Sequence, residues 1–352
     1  MPLTRVRIQS FRCLAAVELE LDAQRNYFFG RNGAGKTSLL EAFYLLGRGR
    51  SFRTRQNSRL IRHGDDGFSV YGELDDQGRR HRLGVALGKD GLQLRLNGQP
   101  AQGMAALAQI LPVHVIEPNI HRLIEGGPSE RRRFLDWGVF HVEPTYLNNW
   151  RHYRRVLGQR NAALKQGHGA ESWNQGFLDA AAAVDQARSR YARELQAALV
   201  GQGEKLLGAA VEVDYRSGWA NGVSLEDALS ASWIKDRTIG LTHVGPHRAD
   251  IGVSMDARGV REEVSRGQQK LVAAALILAQ IRVFAVGRND GGVLLVDDPA
   301  AELDQTALTG LLAALEGLPA QLILTGLSEA RLPPADDFPV FHVEQGQVAQ
   351  ML

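Results

Sequence analysis

Residues 30–37 read GRNGAGKT, a G-x-x-x-x-G-K-[ST] run between the apolar stretch RNYFF and the apolar helical stripe KTSLLEAFYLLGRG. That context predicts a strand, a phosphate-cradling loop and a helix. Gly30, Gly33 and Gly35, with Arg31, Asn32 and Ala34 between them, let backbone N–H groups turn inward around phosphate oxygens. The helix start adds the positive end of its dipole. Lys36 is expected on the β- and γ-phosphates of ATP, Thr37 on Mg²⁺, and Ser38 beside them. The partner of such a loop is a buried strand ending in a carboxylate, and GVLLVDDPAAELD supplies one. Asp297 is expected to hold Mg²⁺ with Thr37, and Asp298 to polarise an attacking water. An acidic pair after an apolar strand is ordinary loop chemistry on its own; downstream of GRNGAGKT it reads as catalytic. Lys36 and Asp298 are the candidate catalytic residues.

A second phosphate-binding piece lies far downstream. In VSRGQQK, Ser265, Gly267 and Gln268 open an apolar helix whose N-terminus is another anion site. The plain alternative is a helix cap, Ser265 with Gln268 as its capping-box partner. Taken in order, SRGQQK, the Asp-Asp strand and AELD resemble the signature, Walker B and D-loop of ABC-type ATPases. In that class the signature closes over the nucleotide of a second subunit. The resemblance therefore implies two composite sites in an ATP-dependent, head-to-tail homodimer.

The elements that must position these residues follow from periodicity. LTRVRIQ and AVELEL alternate as half-buried strands, and FSVYGEL, RLGVALG and LQLRLNG read as a small antiparallel sheet. Residues 128–210 are rich in Ala, Arg, Gln and Leu, and the stretch from FLDAAAAVDQ to KLLGAAV can hold one long helix. Its heptads are too poor for an extended coiled coil. ADIGVSM, GVLLVDD and AQLILTG, separated by helical stretches, predict a parallel sheet covered on both faces. The expected fold class is α/β, an ABC-type P-loop ATPase head with a mainly helical inserted lobe and a small antiparallel sheet. The expected parts are 1–115, 116–240 and 241–352, the first and last forming the ATPase lobe.

Composition limits the function classes. The 352 residues are 44% hydrophobic, enough for a real core. Lys plus Arg is 41 against 39 Asp plus Glu, which excludes a strongly polybasic chain but leaves room for a local basic face. The single cysteine, Cys13, rules out an intrachain disulfide and a cysteine zinc cluster, and is expected to be buried. LVAAALILAQIRVFAVG is interrupted by Gln280 and Arg282 and falls short of the ~20 residues of a membrane span, so it reads as a buried helix. With no apolar signal core at the start, a cytoplasmic protein with no membrane partner is expected. Between residues 48 and 62 lie six arginines, Arg48, Arg50, Arg53, Arg55, Arg59 and Arg62, and no acid. That run is an electrostatic footprint for DNA phosphate, or else a solvated loop. Arg131, Arg132 and Arg133 read as braces or nucleotide contacts, and His243 and His247 as structural or nucleotide-neighbouring. Trp137 and Trp150 read as core.

Over essentially its whole length the chain resembles the RecF family. The resemblance rests on SFRCL, GRSFRT, EGGPSERRRFLDW, QRNAALK, GPHRADI, SRGQQK and LLVDDPAAELD. It implies a slow, DNA-dependent ATPase that clamps duplex DNA at single-strand gaps and single-strand/double-strand junctions. It also implies work with RecR and RecO in RecA loading, replication, DNA repair and SOS induction. Asp298 stands where other ABC ATPases carry Glu, which in this family goes with slow hydrolysis. LILTGLSEA carries no switch histidine, VIEPNIH falls where a lobe-connecting glutamine is expected, and Ala307 replaces a basic residue. A transporter motor would need the switch histidine, and a small-molecule P-loop kinase would carry no signature; both fit less well.

Overall fold

The computed structural model describes residues 1–288, 290–301, 303–328 and 338–351. The chain divides into two compact units, Met1–Ile120 with Phe284–Leu352, and His121–Val283. Unit 1 opens with β1 (Leu3–Phe11), β2 (Leu14–Glu20), β3 (Arg25–Phe29) and helix α1 (Lys36–Arg48). It continues through β4 (Phe68–Asp76), β5 (Arg79–Gly88), β6 (Gly91–Leu96), β7 (Gln99–Pro100), α2 (Met104–Ile110) and β8 (Val113–Ile116). Unit 2 contains α3 (Arg122–Glu125), α4 (Pro128–Val142), α5 (Tyr146–Gln166), α6 (Asn174–Leu199) and α7 (Gln202–Leu207). There follow β9 (Val211–Arg216), α8 (Leu225–Ala231), α9 (Trp233–Ile239), β10 (Asp250–Met255), β11 (Arg258–Gly259) and α10 (Val260–Glu263). The division falls inside α11 (Arg266–Arg288), after which unit 1 resumes with β12 (Val293–Val296), α12 (Gln305–Leu315), β13 (Gln321–Gly326), β14 (Val340–Glu344) and β15 (Gln347–Gln350).

Unit 1 is built on two sheets. One is antiparallel in the order β2-β1-β4-β5-β6-β7. The other runs β15-β14-β3-β13-β12-β8 and is parallel except at the β15 edge. Helix α1 packs between them and is buried nearly all round, where the sequence suggested one apolar face. Leu39, Leu40, Phe43 and Leu46 join Leu3, Val6 and Ile8 of β1 and Leu295 and Ile323 of the parallel strands in one apolar cluster.

Three readings need correction. ADIGVSM forms β10, which pairs antiparallel with β9 and β11 in unit 2 rather than joining the parallel sheet. Its polar and half-exposed positions suit a sheet covered on one face. The sixth strand of the large sheet is instead β8, whose four residues were too few to show a period. The predicted long helix ends at Leu199, and Gly201, at φ 76°, starts α7 in a new direction. Cys13 is exposed, because with Arg12 it forms the turn between β1 and β2 rather than a core position.

Helix α11 is long and apolar enough to cross a membrane, but 72% of its most apolar stretch is buried inside the protein, as a core helix requires. Trp137 and Trp150 are half-buried. Trp137 packs on Phe140 and His141, and Trp150 lies beneath Arg154.

Candidate nucleotide site

In parallel sheets, ligands collect at the carboxyl ends of the strands. The chain leaves β3 at Phe29, loops through residues 30–35 and enters α1 at Lys36. Gly30 sits so close to β14 that a Cβ would lie 2.1 Å from Val343 O. Gly35 caps α1 at φ 119°, a conformation closed to side-chain-bearing residues. Gly30 N–H donates to Gly326 O at 3.2 Å and Gly346 N–H to Ala34 O at 2.8 Å. The loop is thus held by β13 and the β14–β15 turn, while Arg31, Asn32 and Gly33 face solvent.

Lys36 is buried and folds back over the loop, donating to Gly30 O at 2.7 Å and Arg31 O at 3.2 Å. Burial lowers its pKa, and the fields of Asp298 and Asp297 oppose that shift. Thr37 Oγ1 donates to Asp297 Oδ2 at 2.9 Å, with Oδ1 at 3.1 Å. Asp297 follows β12, is buried, and its N–H donates to Ile116 O at the end of β8 at 2.9 Å. A hydroxyl and a carboxylate held this way are hard oxygen donors of the kind Mg²⁺ takes, in the small number it uses beside phosphates. No group of three His, Cys, Asp or Glu side chains suited to a metal occurs among the described residues. Asp298 comes next, at φ 42°, its backbone N–H donating to Thr325 Oγ1 at 2.9 Å.

Sequence reasoning missed two residues here. Thr325, next to last in β13, also donates to Asp297 Oδ1 at 3.0 Å, so one hydroxyl positions both aspartates. Tyr27 of β3 has its pKa pushed up to about 12, by burial first and then by the negative charge of Asp298. Its hydroxyl donates to Ser328 O at 2.9 Å. The signal for Thr325 was present: it is the polar residue near the end of the apolar strand that lacks a histidine. VIEPNIH lies at the end of β8, beside Asp297. Glu302 of AELD, and Glu329 and Ala330 of LILTGLSEA, lie outside the described residues.

The second phosphate-binding piece belongs to unit 2. Ser265, Arg266, Gly267 and Gln268 are all exposed at the start of α11. Ser265 and Gln268 make the reciprocal contacts of a capping box: Ser265 N–H donates to Gln268 Oε1 at 3.3 Å, and Gln268 N–H to Ser265 Oγ at 3.4 Å. Gln269, one residue on, is buried and donates to the carbonyls of Val260, Arg261 and Val264.

Of the six loop arginines, Arg50, Arg53, Arg55, Arg59 and Arg62 are exposed. Arg48 is half-buried, its guanidinium 5.4 Å from the Tyr44 ring, and burial lowers its pKa. The loop is fastened by a residue the sequence did not single out. Glu41 of α1 is fully buried and accepts both guanidinium bonds of Arg12 at 2.8 Å and the hydroxyl of Ser51. Ser51 in turn accepts the N–H groups of Arg53 and Thr54.

Arg131 is buried on α4 and grips Asp250 with two 2.8 Å bonds, while Arg132 donates to Ala249 O at 2.7 Å and Arg133 pairs with Glu130. His243 bonds Asp236 at 2.9 Å, and His247 lies between Tyr153 and Thr242 O. These two histidines are parts of the scaffold of unit 2.

Residues 2–349 match the family model described as RecF/RecN/SMC N terminal domain. The DNA replication and repair protein RecF of Thioalkalivibrio sulfidiphilus is 38% identical over 98% of this chain and 98% of its own. That of Pseudomonas syringae pv. tomato is 38% identical over 99% of this chain and 98% of its own. Among solved structures, the recombination mediator protein RecF of the RecFOR pathway with ATP superposes with a TM-score of 0.87 at 25% identity, covering 100% of this chain and 98% of that one. An Smc head bound to the C-terminal winged-helix domain of ScpA gives 0.60 at 17% identity over 100% of this chain and 98% of that one, a likeness of fold alone.

Proposed function

The chain belongs to the RecF family of DNA replication and repair proteins, an ATP-binding family with the ABC/SMC-type head fold, and we propose that it acts as an ATP-gated dimerising clamp on duplex DNA. The observation that carries the proposal is the exposure of Ser265, Arg266, Gly267 and Gln268 at a helix N-terminus in unit 2, in a chain whose unit 1 carries a complete phosphate loop. An exposed helix start capped by neutral side chains, with the cation Arg266 beside it, can receive phosphate, and a second subunit's ATP would supply that phosphate. Lys36, Thr37, Ser38 and the backbone of residues 30–35 bind the triphosphate within one subunit. Thr37 and Asp297 would hold Mg²⁺, which supplies charge neutralisation on the phosphates. Asp298, oriented through Thr325, positions the attacking water, and its side chain, shorter than Glu, goes with slow turnover.

In this reading residues 1–115 and 241–352 supply the ATPase pieces, with 116–240 inserted, although 241–283 pack within the compact unit His121–Val283. The arginines at 50, 53, 55, 59 and 62 meet DNA phosphate, and Arg48 anchors their loop. The protein is cytoplasmic and works at single-strand gaps and junctions with RecR and RecO, favouring RecA loading and SOS induction.

Light scattering with and without Mg·ATP tests this, using Asp298→Asn to slow hydrolysis. The expected mass is a monomer that doubles with ATP, and a monomer at all ATP concentrations for Ser265→Arg with ATP binding retained. A mass unmoved by bound ATP would reduce Ser265 and Gln268 to a helix cap.

A further inference from the structure

The nucleotide site gives no work to the GPHRADI turn or to α5, yet both are crowded with arginine. At residues 245–249 the turn is fixed from beneath. The Tyr153 hydroxyl of α5 lies 2.7 Å from His247 Nδ1, and His247 Nε2 donates to Thr242 O at 2.9 Å, so the ring is held at both nitrogens. Arg188 donates to Pro246 O at 2.6 Å and Arg132 to Ala249 O at 2.7 Å. Arg248 lies in the turn itself and Arg154 is adjacent to Tyr153; both are exposed. Arg248, Arg132 and Arg154 all impose their field on His247, which burial chiefly and these charges in addition push down to about 4.

The carboxylates of this region are already taken. Asp250 holds Arg131 through two bonds of 2.8 Å. Asp136 holds Arg188 through bonds of 2.8 and 3.0 Å, and Asp185 accepts from Tyr215 at 2.8 Å. Among the described residues, Arg132, Arg154 and Arg248 have no carboxylate oxygen within ion-pair distance. Burial first and then the like charge of Arg188 lower the pKa of Arg132, Asp250 and Asp136 oppose the shift from beyond ion-pair distance, and Arg248 adds a smaller lowering. Helix α5 extends the excess: its sequence, YLNNWRHYRRVLGQRNAALKQ, contains no Asp or Glu. Arg151, His152, Arg154 and Arg155 are exposed on it, with Gly158, Gln159, Ala162 and Lys165 further along. No large apolar side chain is exposed on this helix; those of unit 2 stand elsewhere, at Ile234, Ile239 and Leu241 among others. Protein partners are held by buried apolar and aromatic anchors, whereas a repeated phosphate needs cations without them.

We infer that Arg132, Arg154 and Arg248, continued along α5 by Arg151 and Arg155, form a binding surface in unit 2 for the phosphate backbone of nucleic acid. The surface is distinct in sequence from the arginines at 48–62 and rests on the reading of the protein as a DNA clamp. Arg132, tied to Ala249 O, is the fixed member; Arg154 and Arg248 are the adjustable ones. Arg154, 5.6 Å from the Trp150 ring, is steered by a cation–π contact rather than an ion pair, which leaves its charge available.

The test is the salt dependence of binding to a fluorescein-labelled gapped duplex, followed by anisotropy in Mg·ATP between roughly 50 and 200 mM salt. Arg154→Gln with Arg248→Gln removes two exposed cations and leaves the Arg132 bond in place; Arg53→Gln with Arg55→Gln is the parallel variant in the loop. Each phosphate contact contributes about 0.9 to the slope of log K against log salt, so the unit 2 variant is expected to lose about 2 from the slope. A fall in affinity of roughly tenfold or more near 100 mM salt should accompany it, with ATP affinity unchanged. An unchanged slope and affinity, with the wild type binding DNA, would overturn the inference and leave the surface to an acidic protein. Failure of the wild type to bind DNA would overturn the clamp reading, and this inference with it.

Discussion

Unit 1 and unit 2 are held together differently. In unit 1 an apolar cluster runs without a break from Leu3 of β1 through α1 to Val343 of β14, and its buried charges among the described residues are Lys36 and Asp297 at the nucleotide loop and Glu41, paired with Arg12. Unit 2 places three arginines among its helices. Arg160 and Asp236 are both fully buried and 2.9 Å apart; Arg188 grips Asp136, and Arg131 grips Asp250. The difference follows from what each must position. A phosphate loop needs a rigid strand end and helix start, which parallel strands and apolar packing supply. Helices of small and mixed side chains can slide on one another, and a buried ion pair fixes one register among several. Such pairs add little net stability but are costly to break on one side only.

The sharpest way to break this comparison is to remove one partner of the deepest pair. Asp236→Ala leaves Arg160 charged and buried with only Thr242 and Asn174 as acceptors. A loss of about 3–5 kcal/mol is expected in urea unfolding. Arg160→Met combined with Asp236→Leu removes both charges and should cost clearly less. Equal losses for the single and the double variant would mean that packing, not the uncompensated charge, governs unit 2, and the contrast with unit 1 would disappear.

A pH titration sharpens it, because burial lowers the pKa of His114 in unit 1 and of His247 in unit 2. Burial pushes His114 of β8 down to about 3 from 6.5, and His247 of unit 2 down to about 4. Both folded values lie below the unfolded one, so the unfolded chain takes up the proton first. Stability is therefore complete above about pH 6.5 and is lost as pH falls toward 4, by about 1.4 kcal/mol per pH unit for each histidine. His247→Gln should remove one such increment from the slope of stability between pH 6.5 and 4.5 and leave that of His114. A slope identical to wild type would show that His247 is charged in the folded protein.

What the sequence made legible was whatever is written as spacing. GRNGAGKT, the Asp-Asp strand and the alternation of β1, β2 and β4–β6 all map onto contiguous elements. What it hid was burial of charge. Arg131, Arg132 and Arg133 are identical letters in a row, yet successive 100° steps round α4 carry the first inside onto Asp250, the second to a backbone carbonyl and the third into solvent. Arg160 and Glu41 look like surface residues for the same reason: a formula for charge contains no term for depth. β8 was missed because four residues show no period, and Thr325 because its role is set by two aspartates more than a strand away in sequence.

The smallest effect separates scaffold from function within unit 1. Arg53 and Glu41 approach to 3.9 Å, but the arginine is 48% exposed while the glutamate is fully buried. An ion pair that long, with one partner in solvent, contributes little, so Arg53→Gln should shift stability by less than roughly 0.5 kcal/mol. Glu41→Gln acts on the other end of the same contact. It weakens the bidentate hold on Arg12 and the bond from Ser51, which together fasten the basic loop to the helix that begins at Lys36. The expected pattern is a neutral Arg53→Gln that loses DNA affinity, against a destabilised Glu41→Gln. If Arg53→Gln instead cost as much stability as Glu41→Gln, the loop arginine would be a brace like those of unit 2 rather than a cation left for DNA.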